Sequence, residues 1–117
     1  MATSRMRRVN QVLREVISGT IASDMSDPRL EMVTVTSVDA SPDLRSARVY
    51  ITSLGDEESR AGALDALRSA HGLLQSRIAA ETHMKHTPTL RFEYDESVET
   101  GMRISALLEA EPAEERP

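Results

Sequence analysis

The sequence predicts a single domain of the α+β class, with helices and strands in the order α-β-β-α-break-α-β. Three observations predict it: an apolar stripe at helical spacing near the N-terminus, two adjacent segments rich in β-branched residues, and a long helical stretch interrupted once before a final strand. The chain has 117 residues, 39% of them hydrophobic, which is enough for one compact core. We therefore expect one domain over residues 1–108 and a disordered acidic tail over residues 109–117.

The apolar pattern from Thr3 to Asp24 predicts a first helix that ends near Asp24. Ser4 is the predicted N-cap, and Asp27-Pro28 predicts a stop because the residue before a proline is pushed out of the helical region. The apolar residues that recur every three or four positions along this helix are Val9, Val12, Leu13, Val16, Ile17 and Ile21.

A β-hairpin follows, with strands predicted over residues 32–40 and 46–54, both rich in β-branched residues. Ser41-Pro42-Asp43-Leu44 supplies the turn between them. The second strand alternates regularly between apolar and polar residues. In the first strand Val33 and Val35 are out of phase with Val38, which predicts a β-bulge.

The second half of the chain begins with a long helical segment from about Asp56 to Thr82, which is broken at Ala70-His71-Gly72. After Pro88, alternating residues predict a strand over Thr89–Tyr94. A short last helix is expected over Val98–Leu108, and the residues beyond it are too polar to pack.

The composition excludes several classes of function. The absence of cysteine removes disulfides, thiolate nucleophiles and cysteine-based metal sites. The sequence holds no glycine-rich phosphate loop and no set of nucleophile, base and orienting residue, so we predict no enzymatic activity and no cofactor. His83 and His86 form an H-x-x-H pair without a third ligand nearby, which favours a surface role over a metal site.

No apolar run is long enough to span a membrane, and the N-terminus lacks the apolar stretch of a secretory signal. We therefore expect a cytoplasmic protein with no membrane partner.

The net charge of -5, taken for the whole chain, argues against an acidic polymer as partner. The distribution of charge along the chain removes this objection. Residues 93–117 hold eight acids against two arginines, whereas residues 1–14 hold four arginines and no acid. Thirteen of the fourteen basic residues are arginine, whose planar guanidinium bonds phosphate oxygens in pairs. Because the chain has only Tyr50, Phe92 and Tyr94 as aromatic residues, binding of nucleic acid would depend mainly on arginine–phosphate contacts.

The break at Ala70-His71-Gly72 has two interpretations. A glycine inside a helix costs on the order of 1 kcal/mol relative to alanine, which invites a structural or functional reason. Gly72 either allows the helix to bend and pack closely within the fold or allows close approach by another chain. From the residues alone the structural reason is favoured.

Several stretches in a fixed order along the chain form a recognisable set. They are Asp27-Pro28-Arg29-Leu30, Val35-Thr36-Ser37-Val38, Ser41-Pro42-Asp43-Leu44, Ala47-Arg48-Val49-Tyr50, Ser69-Ala70-His71-Gly72, Pro88-Thr89-Leu90-Arg91-Phe92, Asp95 and Gly101-Met102-Arg103-Ile104. Taken together, these stretches resemble the ribosome-binding factor A family over about residues 5–108.

The resemblance implies a KH-like domain of type II order, in which an Ala-x-Gly kink, here Ala70-His71-Gly72, replaces the usual Gly-x-x-Gly loop. It also implies a non-enzymatic factor that binds the small (30S) ribosomal subunit and its 16S rRNA and promotes late maturation and rRNA processing, notably in the cold. The chain departs from the family pattern at Gln75, where an arginine is common, and at Lys85.

The candidate RNA-binding residues are the basic side chains of the N-terminal segment, the turn, the strands and the later helices, together with the kink. For each arginine taken singly, a solvated surface role or an intramolecular salt bridge is an equal alternative to an RNA contact. A competing hypothesis is a non-enzymatic protein-binding adapter whose acidic tail is the active element, and we expect the free protein to be a monomer. The full candidate set is Arg5, Arg7, Arg8, Arg29, Arg45, Arg48, Arg68, Ala70, His71, Gly72, Arg77 and Lys85.

Overall fold

Helix α1 spans Ser4–Asp24 in the computed structural model, which describes residues 3–97. Its N-cap is Thr3, whose hydroxyl accepts a hydrogen bond from the Met6 N–H at 3.1 Å. The predicted cap at Ser4 is therefore wrong by one residue, because Thr3 has the extended backbone that a cap requires. The helix stops before Pro28, as predicted, and a single 3₁₀ turn, Pro28–Leu30, leads to the sheet.

The sheet has three strands in the order β1-β2-β3, with β1 over Val33–Ala40, β2 over Ser46–Ser53 and β3 over Thr89–Tyr94. Strands β1 and β2 form the predicted antiparallel hairpin, and β3 lies parallel to β2. The predicted bulge is confirmed, since the register shifts between Val35 and Ser37. The bulge frees the Thr36 hydroxyl to donate a 2.6 Å hydrogen bond to Asp95, just beyond β3.

Two helices connect β2 to β3, α2 over Glu57–Ser69 and α3 over His71–Glu81. The predicted break is confirmed and falls at Ala70, which ends α2 and begins α3. Asp56 caps α2 by accepting the Ser59 N–H at 2.9 Å, and this hydrogen bond is the largest of the causes that lower the pKa of its carboxyl.

The core lies between the three helices and one face of the sheet. Helices α1 and α3 each contribute fully buried residues, and alternate residues of β2 face them. On α2 the buried small residues are Ala63 and Ala66, while Ala61 is exposed. The other face of the sheet carries polar residues. The side chains with no exposed surface are Leu13, Ile17, Val49, Ile51, Ala63, Leu67, Leu74 and Ile78.

The structure confirms a mixed α+β domain with the predicted order of elements up to β3. The predicted helix over Val98–Leu108 and the predicted tail lie outside the described residues. Within residues 3–97, no helix combines the length and the apolar character needed to cross a membrane.

Candidate nucleic-acid interface

Two grooves meet at the end of the sheet where the β1–β2 hairpin turns. The larger, about 880 Å³, is lined by Thr3, Met6 and Asn10 of α1, by the hairpin turn, by Arg48 and Arg91, and by Asp39, which lies opposite Arg48. The smaller, about 480 Å³, lies between the α2–α3 kink and β3 and is lined by Arg68, His71 and residues 89–93. Arg91 lines both grooves, so they adjoin at β3. We call the two grooves together the hairpin-end surface.

Arg48 and Arg91 occupy opposite positions on the parallel strands β2 and β3. Neighbouring strands lie about 4.8 Å apart, so two positive charges stand side by side on the open face of the sheet. Glu93 lies 3.5 Å from the Arg48 guanidinium. The pKa of Arg48 is raised above its ordinary range, mainly by a hydrogen bond with the Tyr50 side chain and next by the charge of Glu93. Arg91 is exposed and forms no ion pair with any residue from 3 to 97. An anion such as a phosphate would relieve the repulsion between the two arginines.

The arginines of α1 differ in which side of the helix they occupy. Arg7 lies one helical turn from both Thr3 and Asn10, which line the larger groove, so it shares their side. Arg8 lies nearly opposite, and Arg5 also lies away from the groove-lining side. None of the three forms an ion pair within the described part of the chain. Of the predicted N-terminal set, the structure therefore places Arg7 beside the groove.

The kink presents an open backbone at Gly72. This residue is exposed, and a Cβ built on it meets no atom within 4 Å. Its φ lies outside the left-handed region, so neither packing nor backbone conformation within the described chain requires a glycine here. The structure thus supports neither of the two usual structural reasons for a glycine, close packing or a left-handed backbone. This favours the other interpretation, close approach by another molecule.

His71 fastens the kink to the edge of the sheet. Its Nε2 accepts a hydrogen bond from the Leu90 N–H at 2.9 Å, and its ring meets Phe92 edge to face at 6.5 Å between centroids. A ring nitrogen that accepts must carry no proton, so the imidazole is neutral and its remaining donor is Nδ1–H. His71 therefore positions the kink against β3, while Ala70 serves as the junction between the two helices.

Four of the predicted arginines are engaged by acids. Arg29 makes a bidentate pair with Asp27 at 2.7–3.2 Å, and the hydrogen bonds from Arg29 lower the pKa of Asp27. Arg29 also lies at the opposite end of the sheet from the hairpin, beside α2. Arg77 pairs with Asp24 and so ties α3 to α1. Arg48 and Arg68 form longer ion pairs, at 3.5 Å with Glu93 and at 3.6 Å with Asp65, and both arginines line the grooves.

The remaining candidates are Arg45 in the hairpin turn and Lys85 in the connection from α3 to β3. The Arg45 carbonyl accepts the Thr89 N–H at 2.9 Å, which places Arg45 at the hairpin end next to the start of β3. Lys85 is exposed and unpaired among residues 3–97. Gln75 donates to the Pro88 carbonyl at 3.0 Å and supports the same connection.

Arg91 is the functional candidate that the sequence analysis missed, and Arg14, one turn beyond Asn10 on α1, is a second. The alternation of β3 already put Arg91 on the wet face of its strand. Only the parallel pairing of β2 with β3 brings it beside Arg48, and that pairing is not a local property of the sequence.

The two histidines at positions 83 and 86 stay exposed in the connection before β3. Within residues 3–97, no group of three histidine or acidic side chains is arranged to hold a metal ion.

Comparison with known proteins points to one family. A family model described as Ribosome-binding factor A matches residues 5–108. A protein of Desulfitobacterium hafniense named Ribosome-binding factor A is 40% identical over 115 residues, covering 98% of this chain and 92% of that protein. The crystal structure of ribosome-binding factor A from Thermus thermophilus matches with a TM-score of 0.69 and 30% identity, over 76% of this chain and 94% of the other.

A homology model of Thermus thermophilus ribosome binding factor A, fitted into the cryo-EM map of a 30S–RbfA complex, matches with a TM-score of 0.62 and 31% identity. The match covers 74% of this chain and 91% of that one. The three-helix, three-strand arrangement described above is therefore shared with the crystal structure of that name.

Proposed function

Because the chain belongs to the ribosome-binding factor A family, we propose that it binds the small (30S) ribosomal subunit through 16S rRNA and promotes late maturation of that subunit. The proposal includes rRNA processing, notably in the cold. It also includes a single KH-like domain of type II order over residues 1–108 that acts by binding alone in the cytoplasm, without catalysis, and is monomeric when free. The relative fitted into a 30S complex supports the choice of subunit.

The observation that carries this proposal is the unneutralised charge at the hairpin-end surface. Arg91 lines the larger groove and helical spacing puts Arg7 on the adjoining side of α1, both without an acid partner among residues 3–97. Arg29 and Arg77 are neutralised elsewhere. Phosphate affinity comes mainly from arginines that remain available to displace counterions. The exposed Gly72 at the adjoining kink lets an RNA backbone approach the protein backbone closely.

The proposal is tested by co-sedimentation of the protein with immature and mature small subunits at several salt concentrations. Arg91→Glu should weaken binding about tenfold or more, because a hydrogen bond to a charged group contributes about 1.5–3 kcal/mol. The loss of one phosphate contact should also reduce the slope of log affinity against log salt by about one.

Arg7→Glu and Arg8→Glu form a matched pair on α1, since both residues are exposed and change charge equally. Arg7→Glu should weaken binding clearly more than Arg8→Glu, because only Arg7 is on the groove side. Equal effects would remove the larger groove from the interface. If the unmodified protein sediments with neither kind of subunit, the proposed function is wrong.

The maturation role has its own readout. In cells that lack the protein, precursor 16S rRNA should accumulate, and more so at low temperature. The Arg91→Glu variant should restore processing less well than the unmodified protein at equal abundance. Normal processing without the protein would limit the proposal to binding.

A further inference from the structure

A pair of exposed apolar side chains lies at the end of the sheet opposite the hairpin. Met32 is 53% exposed and Leu54 is 66% exposed, the two largest values among the exposed large hydrophobic residues of the described chain. They flank the last rung of the β1–β2 ladder, Val33 opposite Ser53, and so stand next to each other. Both line a groove of about 460 Å³ together with Pro28 and the start of α2.

The backbone around this pair is fixed. Gly55 follows Leu54 with φ +128°, and a Cβ at this position would lie 2.9 Å from the Ser59 side chain. A glycine is therefore required at the turn that leaves Leu54 facing solvent. On the other wall, the aliphatic stem of Arg29 lies over Gly62, 3.5 Å from where a Cβ would stand. Contiguous exposed apolar patches with a polar rim mark interaction sites.

The rim of this groove is acidic. Asp56 and Glu58 line it, and Glu57 and Glu31 are exposed next to it. Neither Glu57, Glu58 nor Glu31 is paired with a basic side chain among residues 3–97. The single arginine of the groove, Arg29, is already neutralised by Asp27. Such a rim repels phosphate and attracts lysine and arginine, so its charge fits a basic protein segment and disfavours RNA.

We propose that Met32 and Leu54, with their acidic rim, dock a basic segment of a small-subunit protein that inserts an apolar side chain into the groove. The inference rests on the proposed function for the choice of subunit and adds to it a second, protein-binding surface. The hairpin-end surface then holds rRNA, and the opposite end of the same sheet holds a protein, so the molecule bridges the two components.

The first test is site-specific photo-crosslinking of the full-length protein bound to small subunits. The photo-reactive amino acid p-benzoylphenylalanine replaces Leu54 in one sample and Pro42, a lining residue of the larger hairpin-end groove, in the other. The Leu54 probe should crosslink to a ribosomal protein at a segment in which lysine or arginine flanks an apolar residue. The Pro42 probe should crosslink to rRNA.

The second test separates packing from folding and charge. Leu54→Ser and Met32→Ser remove exposed apolar surface without adding charge, and Val12→Ser is the matched control, a 38%-exposed valine on α1 outside this groove. Each of the first two should lower affinity for the subunit by about tenfold, a typical effect for an anchor residue. The salt slope and the thermal unfolding midpoint should stay unchanged, and Val12→Ser should bind normally.

The outcomes distinguish this inference from the function on which it rests. The protein-docking surface alone is overturned by one pattern of results. In it the protein binds the subunit and the Pro42 probe crosslinks to rRNA, but the Leu54 probe crosslinks to rRNA, to a second copy of this chain, or to nothing. Unchanged affinity of both serine variants also overturns it. Failure of the unmodified protein to bind subunits overturns the proposed function, and this inference with it.

Discussion

The substitution Gly72→Ala separates what the kink does for the fold from what it does for binding. Gly72 is the second residue of α3, exposed, with open space where a Cβ would stand and a φ outside the left-handed region. Alanine is favoured over glycine inside a helix by about 0.8–1.0 kcal/mol, and near a helix end by a part of that. We expect the free energy of unfolding to rise by about 0.5–1 kcal/mol, which corresponds to a Tm increase of roughly 2–8 °C.

Binding should change in the opposite direction. If RNA backbone lies against Gly72, a new methyl group intrudes on a packed contact, at a cost of about 1–3 kcal/mol. Affinity for small subunits should then fall by about fivefold or more. Thermal unfolding and co-sedimentation of the same variant measure the two effects independently.

Gly19→Ala supplies the control, because Gly19 is also exposed, lies in the interior of α1, and has no atom within 4 Å of a built Cβ. It should gain similar stability without losing affinity. A more stable Gly72→Ala variant with unchanged affinity would refute the close approach of RNA at the kink. A less stable one would refute the open geometry from which the argument starts.

Three further predictions concern other contacts. His71→Ala removes the acceptor of the Leu90 N–H and should lower the free energy of unfolding by about 1–3 kcal/mol in urea titrations, whereas an unchanged midpoint would mean that the kink is held by other contacts. Asp56→Ala removes the cap of α2 and should lower the Tm at neutral pH. The hydrogen bonds that the Asp56 carboxylate accepts from Ser59 lower its pKa from 3.8. The stability that this cap contributes is therefore present above pH 3.8 and is lost as the pH falls through the lower, folded-state pKa, so the difference in Tm between the two proteins should close there. A difference in Tm that does not depend on pH would contradict the charged cap. Deletion of residues 109–117, which carry four glutamates and one arginine, should leave subunit binding unchanged or tighter in co-sedimentation, whereas loss of binding would favour the adapter hypothesis.

The elements of this fold were predictable because their signals are local. Pro88 and the alternation that follows it predict β3 with the bounds that the structure shows, Thr89–Tyr94. The phase error around Val35 predicts the bulge for the same reason, since side chains alternate strictly along a regular strand. The N-cap was misplaced by one residue because Thr3 and Ser4 are both good caps, and only the backbone conformation chooses between them.

The candidate site was less predictable because it depends on which charges meet across the fold. Asp27 and Arg29 are two residues apart, so their pairing is a local feature. Asp24 and Arg77 come together only when α1 packs beside α3, and Arg91 meets Arg48 only when β3 adds in parallel to β2. No spacing in the sequence carries that information. Counting arginines therefore shows neither that Arg77 is paired with an acid across the fold nor that Arg91 stands beside Arg48.

The distribution of charge over the structure is compatible with the proposed RNA-binding surface despite the net charge of -5. Arg48 and Leu54 are six residues apart along β2 and its end, which at about 3.3 Å per residue separates the hairpin-end surface from the acidic rim by roughly 20 Å. The Debye length at physiological ionic strength is about 8 Å, so exposed charges at the two ends are largely screened from each other. Under the proposed function, an RNA at the hairpin end would face Arg7, Arg48 and Arg91 together with Asp39 and Glu93, and would respond only weakly to the carboxylates at the far end. The sign of the total charge therefore says little about the partner, whereas the axis along which the charges are sorted predicts two partners of opposite charge.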